Sequence, residues 1–547
     1  MEVVRRFSNY KPSLWTHTYL NSLTSIYGEN IYKERAEKLK GNIKIMLKEA
    51  NGTLNQLELI DNIQRLGVCY HFEDETDEIL KGIFVNFNST KNKRSENISL
   101  YAASLQFRLL RQHGYLVLPQ DAFKDFIDDG TFKTKPSDDT TKGILNLYEA
   151  SFLAIQGENI LDVAQDFAIK YLNENLELTT ADDPTLGEHI RHALELPFHW
   201  RMPRVEVRWY IPIYQSTLHM NPVLLEFAKL DFNIVQALYI EEIKDLSRWN
   251  TSTKLTEKMS FARDRIVECY FWMLGLTFEL QFGYTREIIT KLGFFVNVID
   301  DAYDTYATLD EVRLFTQAIE RWDVKEIEQL PSYMRVCFLV VFNLINELVF
   351  NALKEQDIDI GPPLRKALLD YCKSGEVEAK WYHSGYKPAL DEYLECSLIT
   401  VSTPFLIICA YFITASPITK QAIQSLDQYP SIVRWSNMVV RLADDLATSY
   451  DEIKRGDVPK LIQCYMHEKG ASEEEARAHV NHLISESWKK INNNLYVESP
   501  FSKTYIPIAM NLARVSQCVY QTCDGNGYPT PESKEQVASL LVHPIPI

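Results

Sequence analysis

Apolar residues along this chain recur at helix spacing almost throughout. Leu57, Ile60, Ile63 and Leu66, then Leu105, Phe107, Leu109 and Leu110, then Leu225, Phe227, Leu230, Ile234 and Leu238 keep this rhythm, while sustained strand-like alternation bounded by turns is scarce. The pattern predicts an all-α chain. Breakers divide it: Pro136 to Thr141 and Thr179 to Gly187 read as loops, and Gln215 to Pro222 reads as a junction. Two helical domains follow, an amino-terminal one over 1–215 and a carboxy-terminal one over 216–547. The run Val336 to Phe350 is short and broken by Asn343, Asn346 and Glu347, so it reads as a core helix, with no stable membrane insertion expected. The absence of a short-period repeat argues against a stacked repeat architecture.

Two acidic clusters interrupt apolar helical sequence in the second block. Asp300-Asp301-Ala302-Tyr303-Asp304 follows Leu292 to Ile299, and Asp444-Asp445-Leu446-Ala447-Thr448-Ser449-Tyr450-Asp451-Glu452 follows Met438 to Ala443. Asp300 and Asp304 are one helical step apart, and Asp444, Thr448 and Glu452 continue the same step over two turns. Each segment thus offers a row of oxygens. A solvated acidic face is the alternative for either cluster alone, but apolar flanks bury these helices and their carboxylates then need partners. Mg²⁺ meets that need because it takes oxygen ligands, keeps waters and adds phosphate oxygens from a substrate. Arg263 and Arg265, with Arg441 three residues before Asp444, offer guanidinium forks to such a phosphate, or ordinary ion pairs with Asp264 and Asp445. Trp272, Phe294, Phe295, Phe405 and Tyr520 are either core or the aromatic faces of an apolar chamber.

Composition narrows the function classes. A chain of 547 residues exceeds what one core usually serves, and 46% hydrophobic and 12% aromatic residues supply ample core. A formal charge of −17 leaves no basic stripe for nucleic acid. The nine cysteines form no CxxC pair and read as thiols in a reducing compartment. The start, Met1 to Arg6, lacks the apolar region of a secretory signal, so the sequons at Asn51, Asn88, Asn97 and Asn250 carry no weight.

These motifs, in this order, resemble the plant class I terpene synthases, and within them the angiosperm group containing many monoterpene cyclases. The resemblance runs the whole length. It rests on the tandem Arg5-Arg6 followed by Trp15, the RxR pair Arg263 and Arg265, the DDxxD of Asp300 to Asp304, and the second metal motif at Asp444, Thr448 and Glu452. Leu109 to Gly114, Glu378 to Tyr382 and Arg455 to Lys460 are further family-like stretches. The resemblance implies a relict helical barrel followed by a catalytic helical bundle, with a lid strap at 1–15. It implies three Mg²⁺ ions, replaceable by Mn²⁺, held by Asp300 and Asp304 with Asp301 supporting, and by Asp444, Thr448 and Glu452. Arg263, Arg265 and Arg441 would bind the diphosphate of a small prenyl substrate, Trp272 would face the cation, Tyr520 would lie near a closing loop, and Arg5 and Arg6 would assist isomerisation. A monomer or weak homodimer is expected.

Asp125 to Asp129 lacks DxDD spacing, which argues against protonation-initiated cyclisation, and the second metal motif is not another DDxxD, which disfavours a chain-elongating prenyltransferase. Ala307, Ala447 and Asn250 depart from common family residues without removing a metal ligand. Asn297 stands where the family usually has a small or apolar residue, and a buried amide there would hold a water and favour an alcohol, or bond a neighbouring carbonyl. Only four residues precede Arg5. The chain as written is therefore expected to be cytoplasmic and to meet farnesyl diphosphate, or to be a trimmed plastid form using geranyl diphosphate, which the motifs favour. A silent helical scaffold is the alternative from another functional class.

Overall fold

The structure is a computed structural model. It describes residues 5, 7, 10–90, 98–128, 130–133, 140–455, 458–521 and 530–547, with the backbone alone at 90 and 450–455. Helices dominate, as the apolar spacing predicts. The one ladder among the described residues pairs Ile127 with Phe132 and Asp128 with Thr131. Asp125 and Asp128, from the segment without DxDD spacing, are exposed beside it.

The chain forms two compact units. One comprises Ser25–Ala237, Trp488–Glu498 and His543–Ile547; the other takes the described residues of Met1–Thr24 with Leu238–Ser487 and Ser499–Val542. The loop expected at the junction is present between helices ending at Gln215 and starting at Pro222. The division by contacts, however, falls later, inside the helix Pro222–Thr253. Its first half is bound by Tyr70, Arg204 and Ile545, through Asp231 and Asn233. Its second half is bound by Arg286 and Tyr270, through Glu242. Breakers mark where helices end, and a helix continues through a change of packing partner without any such mark. The strap residues likewise belong with the second unit, although they come first in sequence.

In the first unit, Ile144, Leu145, Tyr148, Ala168, Leu172, Ile190 and Ala193 form one apolar cluster. The loop expected over Thr179 to Gly187 is almost absent. The helix Asn159–Asp182 ends one residue before Pro184–Glu195 begins, with Asp183 capping by accepting from the Leu186 N–H and Pro184 opening the new helix. Gly187 permits this tight return, because a Cβ there would lie 2.8 Å from the Thr180 Cα.

In the second unit, the helix Ile266–Leu276 is buried at every position, the mark of a central helix. It packs against Gly283–Asp301 and Tyr505–Tyr520, and the latter packs along Ser431–Arg455. The apolar run Val336 to Phe350 lies within Ser332–Gln356, a helix long and apolar enough to cross a membrane by length and composition, with Met334, Phe338, Val341, Ile345 and Leu348 buried on one side. A break at Ser402, held at φ 66°, separates Leu390–Thr400 from Thr403–Thr414. The described cysteines are free, as expected; Cys523 lies outside the described residues.

Candidate active site

The helix Gly283–Asp301 presents Gly293, Val296, Asn297 and Asp300 to one cavity, in steps of three and four residues along one face. Just beyond it the chain widens into a π-turn, Ala302–Tyr306, closed by the Ala307 N–H donating to the Ala302 carbonyl at 2.8 Å. Asp304 therefore sits on a wider turn than the α-helical step read from the sequence, and it still lines the cavity. The turn is braced from several sides. Thr305 donates its hydroxyl to the Asp301 carbonyl at 2.7 Å, and the buried Tyr303 hydroxyl lies 3.0 Å from that of Thr316. Tyr303 also packs on Gly375, where a Cβ would come within 2.8 Å of the ring.

A second wall comes from Ser431–Arg455, which presents Val440, Arg441, Asp444 and Thr448. Asp445 is turned away and tied down. Tyr393 is within 3.0 and 2.9 Å of its two oxygens, the Leu461 N–H donates at 3.1 Å, and Arg441 lies 2.5 Å away. Arg441 also pairs with Asp444. The Thr448 hydroxyl donates to the Asp444 carbonyl at 3.0 Å, which leaves its oxygen lone pairs available. The Glu452 side chain and Arg6 lie outside the described residues.

Between the walls lies a cavity of about 160 Å³, measured at the centres of water-sized spheres and roughly ten times the room one water needs. Trp272, Met273, Leu276, Leu406, Ile407 and Leu512 line it with apolar surface. Tyr520 joins them, its ring edge-on to Trp272 at 5.7 Å. Phe294, Phe295 and Phe405 are buried core and line none of it. Asn297 donates to the Cys269 thiol at 3.1 Å, not to a helix carbonyl.

The Asp300 carboxylate is half-buried among like charges, a setting that disfavours its charged form until a cation arrives. Burial pushes Asp300 up to about 6, the Arg263 guanidinium pulls it down, and the Asp301 and Glu378 charges push it up again. A bound cation would reverse that rise. The donors offered by Asp300, Asp304, Asp444 and Thr448 are all oxygen, the set that magnesium takes. Among the described residues no three Asp, Glu, His or Cys side chains converge into a closed cage.

The arginines divide. Arg263 reaches the cavity, with its side chain 3.0 Å from Asp300 and its backbone N–H donating to Asp301 at 2.7 Å. Asp301 is buried in this pairing and does not itself line the cavity. Arg265, expected at the diphosphate, is fully buried and does not line the cavity. It donates to the Lys11 carbonyl at 2.8 Å and the Asp264 carbonyl at 3.0 Å. RxR spacing sends the two side chains in different directions here because the helix starts only at Ile266. Arg5 is not at the cavity either; it forks onto Glu311 at 2.9 and 2.8 Å and donates to the Tyr306 carbonyl at 3.0 Å.

Sequence reasoning missed Tyr10, Glu378, Lys460 and the Thr400 to Thr403 break, all of which line the cavity. Glu378 and Lys460 fall in the family-like stretches already noted, where the signal was present without a role. Tyr10 carried no signal.

Residues 14–194 match the family described as "Terpene synthase, N-terminal domain", and residues 251–490 match "Terpene synthase family, metal binding domain". The chain belongs to the terpene synthase family. It is 52% identical over 545 residues to (−)-alpha-terpineol synthase of Vitis vinifera, covering 100% of this chain and 91% of that one. It is 49% identical to the chloroplastic myrcene synthase of Quercus ilex, with the same coverage. A crystal structure of limonene synthase with 2-fluorolinalyl diphosphate superposes with TM-score 0.96 at 43% identity, over 99% of this chain and 100% of that one. Isoprene synthase from grey poplar leaves, in complex with three Mg²⁺ ions and dimethylallyl-S-thiolodiphosphate, matches with TM-score 0.87 at 40% identity, over 97% and 99%. This terpene synthase is thus a lyase that ionises a prenyl diphosphate, and the silent-scaffold alternative falls away.

Proposed function

We propose that this enzyme ionises geranyl diphosphate with Mg²⁺ and releases a monoterpene, as hydrocarbon or alcohol, in the plastid. The carrying observation is a single cavity with two oxygen-bearing walls and an apolar remainder. Three Mg²⁺ ions, the number in the isoprene synthase complex, would be held by Asp300 and Asp304 and by Asp444, Thr448 and Glu452. When bound they neutralise charge on the departing diphosphate. The chain supplies the rest. Arg263, Arg441 and Lys460 donate to phosphate oxygens, Glu378 adds negative charge beside the Asp300 wall, and Trp272 and Tyr520 offer ring faces to the cation. The 2-fluorolinalyl diphosphate in the limonene synthase structure supports a ten-carbon substrate, and the chloroplastic name of the Quercus relative supports the plastid over the cytoplasm.

Incubation with Mg²⁺ and either geranyl or farnesyl diphosphate, followed by gas chromatography and mass spectrometry, tests this. Geranyl diphosphate should be turned over, and Asp300→Ala should lose about 10²–10³ of the rate, the scale for removing one electrostatic stabiliser. Faster farnesyl turnover would overturn the substrate assignment.

A further inference from the structure

Arg263 and Arg265 share a motif yet do different work. Arg263 faces the cavity. Arg265 is buried to 0% exposure, and its fork spends one arm on the Lys11 carbonyl at 2.8 Å and another on the Asp264 carbonyl at 3.0 Å. Burying a guanidinium is costly, so one placed behind the wall has to serve the groups it binds. Lys11 follows Tyr10, whose ring lines the cavity and lies 4.9 Å from the Arg263 guanidinium. A second fastening holds the same segment. Arg5 forks onto Glu311 and lies over the Tyr306 ring at 4.4 Å, and Phe7 meets Tyr306 edge-on at 5.5 Å. Farther along, Trp15 is buried beside Lys534.

We propose that Arg265 is a positioning residue: by holding the Lys11 carbonyl it sets Tyr10 into the cavity wall beside Arg263, and it does not bind diphosphate. This rests on the reading of the cavity as the diphosphate site. Tyr10 then helps exclude water while the cation rearranges, and the Arg265 bond to the Lys11 carbonyl is the fastening next to it in sequence. Arg263 contributes charge to the leaving group, and Arg265 contributes geometry to the wall.

Full-length Arg265→Met, Arg265→Lys, Arg263→Met and Tyr10→Ala variants test the division. Hydrogen exchange in a peptide spanning residues 10–16 should speed up by about tenfold in Arg265→Met and by less in Arg265→Lys, which retains one donor. Calorimetric titration with inorganic diphosphate and Mg²⁺ should show affinity within about threefold of the parent for both Arg265 variants, and a loss of about tenfold or more for Arg263→Met. The share of water-derived alcohol among the products should rise in Arg265→Met, and this rise should vanish in a Tyr10→Ala background. Unchanged exchange at residues 10–16 overturns the proposal, as does a tenfold loss of diphosphate affinity in Arg265→Lys or additive effects with Tyr10→Ala. If the parent chain binds no diphosphate with Mg²⁺, the site reading fails, and the exchange measurement alone still decides whether Arg265 holds the strap.

Discussion

Asn297 lines the cavity and donates one amide N–H to the Cys269 thiol, which leaves the amide a second N–H and its carbonyl oxygen as polar groups for a water entering the cavity. Asn297→Ile should therefore lower the ratio of alcohol to hydrocarbon products by about fivefold, the equivalent of one hydrogen bond worth about 1 kcal/mol. An unchanged ratio by gas chromatography sinks this role. Behind the wall, burial pushes Glu268 up to about 7, with Arg265 opposing and Asp264 reinforcing the shift. The folded chain then holds a proton that the unfolded chain has released, so stability falls as pH rises from the ordinary carboxylate range to about 7. Above that it is lower by about 3 kcal/mol. Glu268→Gln should flatten this slope and raise the urea midpoint at pH 8; an equal slope in both proteins refutes it. Residue identity told the sequence reader that Asp300, Asp304, Asp444 and Thr448 belong together, because chemistry and spacing coincide there. It could not separate Arg263 from Arg265, since the direction of each side chain depends on a helix that begins one residue later.

At the scale of elements, the site depends on how one helix ends. The π-turn that carries Asp304 is shaped by Tyr303 resting on Gly375 of the helix Gly361–Ser384. Gly375→Ala should push Tyr303 and its turn outward, raising the Mg²⁺ concentration for half-maximal turnover by about tenfold, the usual scale for displacing a support of a metal site. A magnesium titration that matches the parent would refute this. Such a turn has no sequence signature, because the pattern Asp-Asp-Ala-Tyr-Asp is compatible with an α-helix. The near-absence of a loop over Thr179 to Gly187 was hidden for a related reason. Polar and turn-forming residues there extend and cap helices, and only their three-dimensional partners reveal which.

At the scale of the molecule, the two units divide the work. The unit built largely from Ser25–Ala237 holds a buried ion network in which Asp61 meets Arg108 at 2.6 Å and Glu206 meets His192 at 2.7 Å. Burial alone would raise the Glu206 pKa, yet the His192 hydrogen bond and the His192, Arg65 and Arg201 charges hold it below the ordinary carboxylate range. Its contribution to stability is thus present above that range and lost as pH falls through it. Glu206→Gln should cost about 3–5 kcal/mol at pH 7, read as a lower denaturation midpoint, and leave kcat for geranyl diphosphate at 25 °C unchanged. A fall in kcat in the folded variant would show that this network serves the reaction. The sequence disclosed the number of units through length and the all-helical fold through periodicity. It bounded residues 1–15 with the domain that follows them in sequence, while by contacts they group with Leu238–Ser487, since sequence proximity carries no information about a contact made hundreds of residues away.

That distance sets how late the contacts of Arg5 can form. Arg5 is bonded to Tyr306 and Glu311, partners 301 and 306 positions downstream, and a ribosome adding about 5–20 residues per second needs tens of seconds to reach them. Arg5 is thus among the last residues to find its place, because its partners are made some three hundred residues after it.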